Sequence, residues 1–193
     1  MSDVKSQVKS SGFTMLELLV GIAILGIIAA IALPSFSSFI VKTRVDNQIS
    51  ELHRLVSNAR NAAINSGQNV TLCPLSSAKK CGSSWQNELS VFTNSDNTPA
   101  NNIIFDDNTE RLIKIKAEAS DGDTLNFDQT IIVFSPSGRL ISGAYSNFSY
   151  CPKGYENFSR GVSISATGRV STSADIDGSG KEKDRKGNII TCS

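Results

Sequence analysis

Residues 12–34 read GFTMLELLVGIAILGIIAAIALP, and this stretch sets the organisation of the whole chain. From residue 13 to residue 33 only Thr14 and Glu17 are polar. At about 1.5 Å of rise per residue, a helix over this run is roughly 32 Å long, and the apolar core of a bilayer is about 30 Å thick. The run therefore predicts a helix that can cross a membrane.

Two simpler interpretations of the run are a secretory signal peptide and a plain membrane anchor. Lys5 and Lys9 precede it, so the positive-inside rule predicts a cytoplasmic N-terminus and an exported remainder. A secretory signal has an apolar region of only about 7–15 residues, whereas this run is longer and the helical pattern continues beyond Pro34. A plain anchor does not explain Glu17, because a carboxylate in lipid is costly unless it has a partner.

Glu17 gains a partner if the chain is cut after Gly12. The cut gives Phe13 a new α-amino group, and this cation can pair with Glu17 of the same subunit or of a neighbouring one. The motif from Gly12 to Val20 resembles the class III signal of type IV pilins and pseudopilins. The resemblance implies cleavage by a prepilin peptidase between Gly12 and Phe13, N-methylation of Phe13, and a role for Glu17 in subunit docking.

The same resemblance divides the chain into four parts. Residues 1–12 are the cleaved leader, and residues 13–34 are a helix that lies in the inner membrane before assembly and in a filament core afterwards. Residues 35–67 are predicted to continue as an amphipathic helix that ends at Gly67, with a kink at Pro34. One face of this helix carries an apolar stripe at intervals of three and four residues: Val45, Ile49, Leu52, Val56, Ala59 and Ala63.

Residues 68–193 alternate short apolar runs with turn residues, as antiparallel sheets do. Runs of this kind lie at residues 70–73, 88–93, 103–105, 111–117, 124–128, 131–135, 139–141, 145–151, 161–166 and 169–171. The chain shows no parallel alternation of strands and helices. The predicted fold class is therefore α+β, with one long N-terminal helix packed on antiparallel sheets.

Four cysteines lie in the β-rich region, and an even number in an exported segment indicates disulfides. Four cysteines allow three pairings. The simplest joins Cys73 to Cys81 and Cys151 to Cys192, because it makes one short loop and one longer loop. Reduced thiols or a zinc site are the alternatives, although the spacing from Cys73 to Cys81 lacks the tight knuckle of structural zinc sites.

The β-rich region resembles the FimT/FimU and GspH-type minor pilins, and is closest in character to FimU. The resemblance rests on Leu72-Cys73-Pro74, Cys81, Trp85 and Val91-Phe92, and later on Cys151, Arg160-Gly161-Val162-Ser163-Ile164 and Gly168-Arg169-Val170. It implies the type IV pilin fold and a minor pilin of the tip or priming complex that starts pilus assembly. The implied partners are other minor pilins, the major pilin, the prepilin peptidase and the inner-membrane assembly platform. The globular part is then periplasmic until the pilus carries it to the cell surface.

Two other functions stay open. A minor pseudopilin of a type II secretion system would carry the same N-terminal signal. A DNA receptor for natural transformation is the third hypothesis, with Arg169 as its candidate contact. DNA-binding FimT proteins carry a G-R-x-R motif near the C-terminus, but Ser171 stands at the position of the second arginine here, so one phosphate contact is missing.

The remaining residues give little support to catalysis or metal binding. The chain has 19 basic and 18 acidic side chains, so its net charge does not indicate a strongly basic nucleic-acid binder, and a local basic patch stays open as an alternative. His53 is the one histidine, and the sequence has no P-loop or dinucleotide motif, so neither an enzyme nor a cofactor is predicted. Asp175, Asp177 and Ser179 are weak calcium candidates, because Lys186 occupies the position where a calcium loop needs a glutamate.

Overall fold

The computed structural model describes residues 12–95 and 103–192, and for residues 31–35 it describes the helical backbone without the side chains. Most of the predicted leader therefore lies outside the described residues, as does the side chain of Pro34. By packing, the chain divides into two units, one ending at Ile40 and the other beginning at Val41. The predicted boundaries at residues 12, 34 and 67 stay predictions.

One helix, α1, runs over Met15–Ser66. In the first unit its apolar side chains face outward, and Met15, Leu16 and Leu25 are all more than 60% exposed. In the part of the chain that is described, no helix combines the length and the apolarity that a membrane span requires. The predicted span reaches residue 34, and the side chains of its last four residues are outside that part.

The part of α1 that belongs to the second unit is amphipathic, as the periodicity predicts. All six residues of the predicted stripe, from Val45 to Ala63, are no more than 2% exposed. Val41 and Leu55 extend the buried face. Gly67 follows the last helical residue at a positive φ of 66°, and its N–H donates to the carbonyl oxygen of Ala63, so this glycine caps the C-terminal end of α1.

Eight strands follow the helix within the described residues: β1 Asn69–Pro74, β2 Leu89–Asn94, β3 Leu112–Lys116, β4 Thr124–Phe127, β5 Ile132–Phe134, β6 Ser146–Cys151, β7 Arg160–Ile164 and β8 Val170–Thr172. They form two sheets, sheet I in the order β3-β2-β1-β5 and sheet II in the order β4-β6-β7-β8. Every described strand pairing is antiparallel. This arrangement confirms the predicted α+β class.

Both sheets and the second part of α1 share one apolar core. Along β1, Val70 and Leu72 point into this core, whereas Cys73 joins a second cluster with Phe92 and Ile103. The alternation follows from the two-residue period of a strand. The second cluster thus covers the face of sheet I that is turned away from the main core.

Two of the predicted strands are shorter than expected. Residues 103–105 contribute a single bridge, between Ile104 and Lys80, and residues 139–141 contribute one between Leu140 and Phe134. In both places the extended residues make contacts other than those of a continuous strand ladder. Ile103 fills the second cluster, and the N–H of Leu140 donates to the carbonyl oxygen of Ala166 instead of extending a ladder.

Candidate functional site

The start of α1 is a capping box made by Thr14 and Glu17. The backbone N–H of Glu17 donates to Oγ1 of Thr14 at 3.2 Å. In return, the backbone N–H and the hydroxyl of Thr14 donate to Oε2 of Glu17 at 2.8 and 2.9 Å. A threonine at the N-cap and a glutamate three residues later satisfy two helix-end donors in this way. The sequence analysis did not identify this local role of Glu17, although the T-x-x-E pattern is visible at residues 14–17.

Phe13 precedes the capping box and is 88% exposed. The side-chain hydrogen bonds of Glu17 both use Oε2, and Oε1 makes no hydrogen bond to any residue within the described ranges. Within those ranges, the geometry thus leaves one oxygen of the predicted docking carboxylate for a cation that arrives later. Gly12 is exposed beside Phe13, so the predicted cleavage position lies outside any packed region of the described chain.

Both cysteine pairs proposed from the sequence are joined in the structure. Cys73 and Cys81 have Cα atoms 5.6 Å apart and close a short loop over the second cluster. Cys151 and Cys192 have Cα atoms 5.8 Å apart and join β6 to the C-terminal segment. The hydroxyl of Ser159 lies 2.8 Å from Sγ of Cys192. The two Cα–Cα distances fall in the range that disulfide geometry requires.

The C-terminal segment is also held by Arg160, at the start of β7. Its guanidinium pairs with Asp46 on α1 and lies 3.5 Å from Oε1 of Glu182. Its Nη2 donates to the carbonyl oxygen of Ser173 at 3.3 Å. Arg160 therefore links the helix, sheet II and the C-terminal segment, and this use of its charge removes it from any free basic face.

A buried carboxylate fixes α1 to sheet II. The side chain of Asp123, which precedes β4, is fully buried. It accepts hydrogen bonds from the hydroxyl of Tyr150 at 2.5 Å, from Nη2 of Arg44 at 3.2 Å and from the backbone N–H of Lys153 at 3.0 Å. Burial, together with the hydrogen bond to Asp123, raises the pKa of Tyr150 to about 12.

The predicted DNA contact, Arg169, lies on one of two matching turns. Residues 135–139 and 165–169 share the pattern S-x-[S/T]-G-R, and we call them the twin turns. In each, the first N–H donates to the carbonyl oxygen of the arginine, at 2.9 and 3.0 Å, and the glycine N–H donates back to the first carbonyl oxygen, at 2.8 and 2.7 Å. Both glycines have a positive φ, 73° for Gly138 and 78° for Gly168.

The twin turns pack against each other and against α1. A Cβ atom at Gly168 would lie 1.9 Å from the carbonyl oxygen of Gly138, so only glycine fits there. Nε of Arg60 donates to that same oxygen at 3.0 Å. Arg139 and Arg169 are both exposed, and neither side chain has an ion pair among the residues described. Arg139 was missed from the sequence, although the repeated S-x-[S/T]-G-R pattern pointed to it.

The weak calcium candidates form a closed loop of hydrogen bonds. Asp175 accepts the backbone N–H groups of Ser179 and Gly180 at 3.0 and 2.9 Å. Asp177 accepts the hydroxyl of Ser179 at 2.8 Å and pairs with Lys183, which holds the pKa of Asp177 below its usual range. These carboxylates are occupied by protein donors, and the described residues contain no cluster of metal ligands. His53 is half-buried on α1.

Comparisons with protein families give two matches, which together cover most of the chain. The family model described as Type II transport protein GspH matches residues 48–168. The prokaryotic N-terminal methylation motif matches residues 8–33. Each match coincides with a part of the chain already set apart by its sequence, the first with the amphipathic helix and the sheets, the second with the apolar run.

Among individual proteins, a fimbrial protein of Pseudomonas aeruginosa is 40% identical over 53 residues, which are 28% of this chain and 34% of that protein. The chain thus spans about a third of that relative's length. The type IV major fimbrial protein FimA of Dichelobacter nodosus is 28% identical over 120 residues, 61% of this chain and 71% of that protein.

The crystal structure of the type IV minor pilin FimU of Pseudomonas aeruginosa is similar with a TM-score of 0.51, over 69% of this chain and 90% of that chain, at 18% identity. At that identity the similarity concerns the fold. It confirms the predicted type IV pilin architecture of one helix on two antiparallel sheets.

Proposed function

This chain belongs to the GspH family, and on that premise we propose that the mature protein is a FimU-like minor pilin in the priming or tip complex of a type IV pilus. The resemblance to minor pilins noted in the sequence is thereby confirmed at the level of the family. Pilin family members are structural subunits, so this protein is not an enzyme. The observation that carries the proposal is the presence, in one chain, of a methylation motif at residues 8–33 and a GspH region at residues 48–168.

In this proposal the precursor is inserted once in the inner membrane, with the globular unit in the periplasm. The prepilin peptidase removes residues 1–12, and Phe13 becomes the methylated N-terminus. The apolar side chains from Met15 to Ile28 then leave the membrane and pack among the helices of other subunits. These side chains are exposed in the described helix, and this supports the proposal, because a large exposed apolar surface marks a contact with a membrane or with another protein.

Glu17 is the docking residue of the proposal. Its Oε1 is the acceptor for the α-amino group of Phe13, either its own or that of a neighbouring pilin. Thr14 supports this role by holding Oε2, so that the carboxylate is oriented before a partner arrives. The partners proposed are other minor pilins, the major pilin and the inner-membrane assembly platform.

The two disulfides are proposed to form in the periplasm, an oxidising compartment. The pair Cys73–Cys81 secures the second cluster, and the pair Cys151–Cys192 secures the C-terminal segment beside Arg160. Together they suit a subunit that must keep its shape at an exposed filament tip.

A second candidate function is that of a minor pseudopilin in a type II secretion system. The family description, Type II transport protein, favours it. The four cysteines weigh mildly for the pilus subunit. Both candidates need the same peptidase, the same methylation and the same helix docking, so they differ in the filament that the subunit joins.

DNA binding for natural transformation is a third candidate, and one structural observation supports it. Ser171 stands in place of the second arginine of the G-R-x-R motif, but the twin turns contact each other through Gly138 and Gly168. The arginine that follows each of these glycines, Arg139 or Arg169, is exposed. Two arginines without ion pairs among the described residues provide about two phosphate contacts. Replacing both arginines should reduce the slope of log K for DNA binding against log salt concentration by about two.

One experiment separates the three candidates. A strain that lacks this chain is assayed for sheared surface pili, for protein secretion and for DNA uptake. Loss of pili with normal secretion supports the minor pilin. Normal pili with failed secretion supports the pseudopilin and contradicts the main proposal. Normal pili and secretion with loss of DNA uptake supports the DNA receptor, and Arg139→Ala with Arg169→Ala should then reproduce the defect.

A further inference from the structure

Among the residues that the structure describes, strand β3 forms one edge of sheet I and is the longest of the four edge strands, with five residues against four in β4 and three each in β5 and β8. Leu112 is 40% exposed and Ile115 is 44% exposed. In the described part of the chain, these are the large apolar side chains that a strand leaves exposed. An exposed apolar edge of this kind is a template for another strand.

Two separate depressions lie between β3 and α1, and we refer to them together as the groove. One section of it has a volume of about 220 Å³ and is lined by Arg54, Leu55 and Ile115, among others. Another section has a volume of about 590 Å³, and its walls include Asn65 and Ile113. Side chains of an added strand would alternate between solvent and this groove, because successive residues of a strand point to opposite faces.

The charges around the edge are mostly positive. Arg54, Arg111 and Lys114 are exposed, and none of the three has an ion pair to a described residue. Two of the nearby acids, Glu51 and Glu110, are already engaged, and a third, Glu118, is exposed two residues beyond the end of β3. Oε2 of Glu51 lies 3.7 Å from Nζ of Lys116, and Glu110 is buried and accepts backbone N–H groups. The groove therefore complements a segment that carries carboxylates.

We propose that the edge of β3 and the groove beside it bind an extended acidic segment from the globular domain of a different pilin subunit, which adds to sheet I as a fifth strand. Backbone hydrogen bonds provide the affinity, and the exposed Leu112 and Ile115 provide the apolar contact. A second copy of this chain is disfavoured, because antiparallel two-fold pairing of two β3 edges would place Arg111 of one copy near Lys114 of the other, and like charges opposite each other are destabilising. The inference rests on the proposed function, which supplies the neighbouring subunit.

The test uses the full-length chain in cells that assemble its filament. A photo-crosslinking residue, p-benzoylphenylalanine, replaces Ile115, and the control carries it at Ile141, which is 55% exposed and lies outside the strands. Ile115 should crosslink to an acidic, extended segment in another pilin subunit, identified by peptide mass spectrometry. The yield at Ile141 should be at least about ten times lower, because that position lies outside the proposed contact.

Charge reversal tests the electrostatic part of the proposal. Arg111→Glu with Lys114→Glu should lower the crosslinking yield about ten-fold. The matched control, Lys181→Glu with Arg185→Glu, reverses two exposed cations elsewhere and should leave the yield unchanged. Thermal unfolding of each variant shows whether the fold is kept, and a pair that unfolds early is replaced by the single change Lys114→Glu.

Three results overturn the inference: equal yields at Ile115 and Ile141, a crosslink to a second copy of this chain, or a crosslink to a helical segment. Immunoblots of sheared filaments are read in parallel. If the chain enters filaments and Ile115 gives no specific crosslink, the inference fails and the proposed function stands. If the chain enters no filament and Ile115 crosslinks to no pilin, both fail.

Discussion

The hydroxyl of Tyr150 donates a 2.5 Å hydrogen bond to the buried carboxylate of Asp123, the same carboxylate that binds Arg44 of α1. Through this carboxylate, β6 in sheet II is linked to the helix. The carboxylate is satisfied by three donors, so it does not carry the cost of an unpaired buried charge. The arrangement explains why a polar group lies at the junction of the helix with the sheet.

The first prediction concerns alkaline pH. The pKa of Tyr150 is raised to about 12 in the folded chain, by burial and by Asp123, whereas an unfolded tyrosine has a pKa of about 10. The folded state therefore holds this proton more tightly than the unfolded state. The resulting stability is fully present below about pH 10 and is lost as the pH rises towards about 12. Urea unfolding between pH 9 and pH 12 measures it.

Tyr150→Phe is the matched variant for this prediction, since it keeps the ring and removes the titrating hydroxyl. It should be less stable than the parent chain at neutral pH, because Asp123 loses a donor, and it should lose less stability than the parent between pH 10 and pH 12. An identical alkaline loss in both chains would show that another group controls this transition.

The second prediction concerns the contact between the twin turns. Gly168→Ala places a Cβ atom 1.9 Å from the carbonyl oxygen of Gly138, at a φ of 78°. Gly178→Ala is the control, because its φ is 68° and no atom lies within 4 Å of its Cβ position. The control should cost about 1–2 kcal/mol in free energy of unfolding, for the left-handed backbone alone. Gly168→Ala should cost about 1–3 kcal/mol more, because the turns must separate.

Chemical denaturation of the two variants measures the free energy of unfolding that each one loses. If both lose the same stability, the close approach of the turns contributes nothing. A larger loss in Gly168→Ala, with Arg60 released from Gly138, would show that this end of the helix depends on the turns.

The sequence was sufficient for features that depend on local periodicity. The spacing of Val45, Ile49 and Leu52 alone identified the buried face of α1, because a helix repeats every 3.6 residues. The turn at Gly138 was equally predictable, since a glycine can adopt the positive φ that the turn requires. Neither feature needs information about distant parts of the chain.

Features that depend on distant partners were not predictable in the same way. The run at residues 103–105 has the composition of a strand, yet it covers the second cluster, and composition does not distinguish these two uses of extended backbone. The donors to Asp123 are Arg44 on α1, Tyr150 on β6 and the backbone N–H of Lys153. Only the folded chain brings these three groups together. The carboxylate therefore gave no local signal of its role.

The third prediction compares the two disulfides. Cys151 and Cys192 are 41 residues apart, and Cys73 and Cys81 are 8 apart. In the loop-entropy account, removing the long link should cost about 4 kcal/mol and removing the short one about 2.5 kcal/mol. Paired Cys→Ser variants, unfolded in urea under oxidising conditions, measure both values. Peptide mapping without reductant checks the pairing, and a Cys73–Cys151 peptide would contradict it.

The fourth prediction separates two roles of Glu17, as a helix cap and as a docking charge. Glu17→Gln keeps an acceptor for the Thr14 donors and removes the negative charge. Thr14→Val removes the hydroxyl that accepts the N–H of Glu17 and keeps the charge. If docking depends on the pairing of Glu17 with an α-amino group, Glu17→Gln should reduce entry into filaments at least about ten-fold, and Thr14→Val much less.

The amounts of each variant in the membrane and in sheared filaments are compared by immunoblotting, so that a defect in docking is distinguished from a defect in synthesis or cleavage. The opposite pattern, with normal entry of Glu17→Gln and failure of Thr14→Val, would mean that Glu17 acts only through the capping box. In that case Oε1 of Glu17 has no part in assembly, and the helix is positioned by its apolar surface alone.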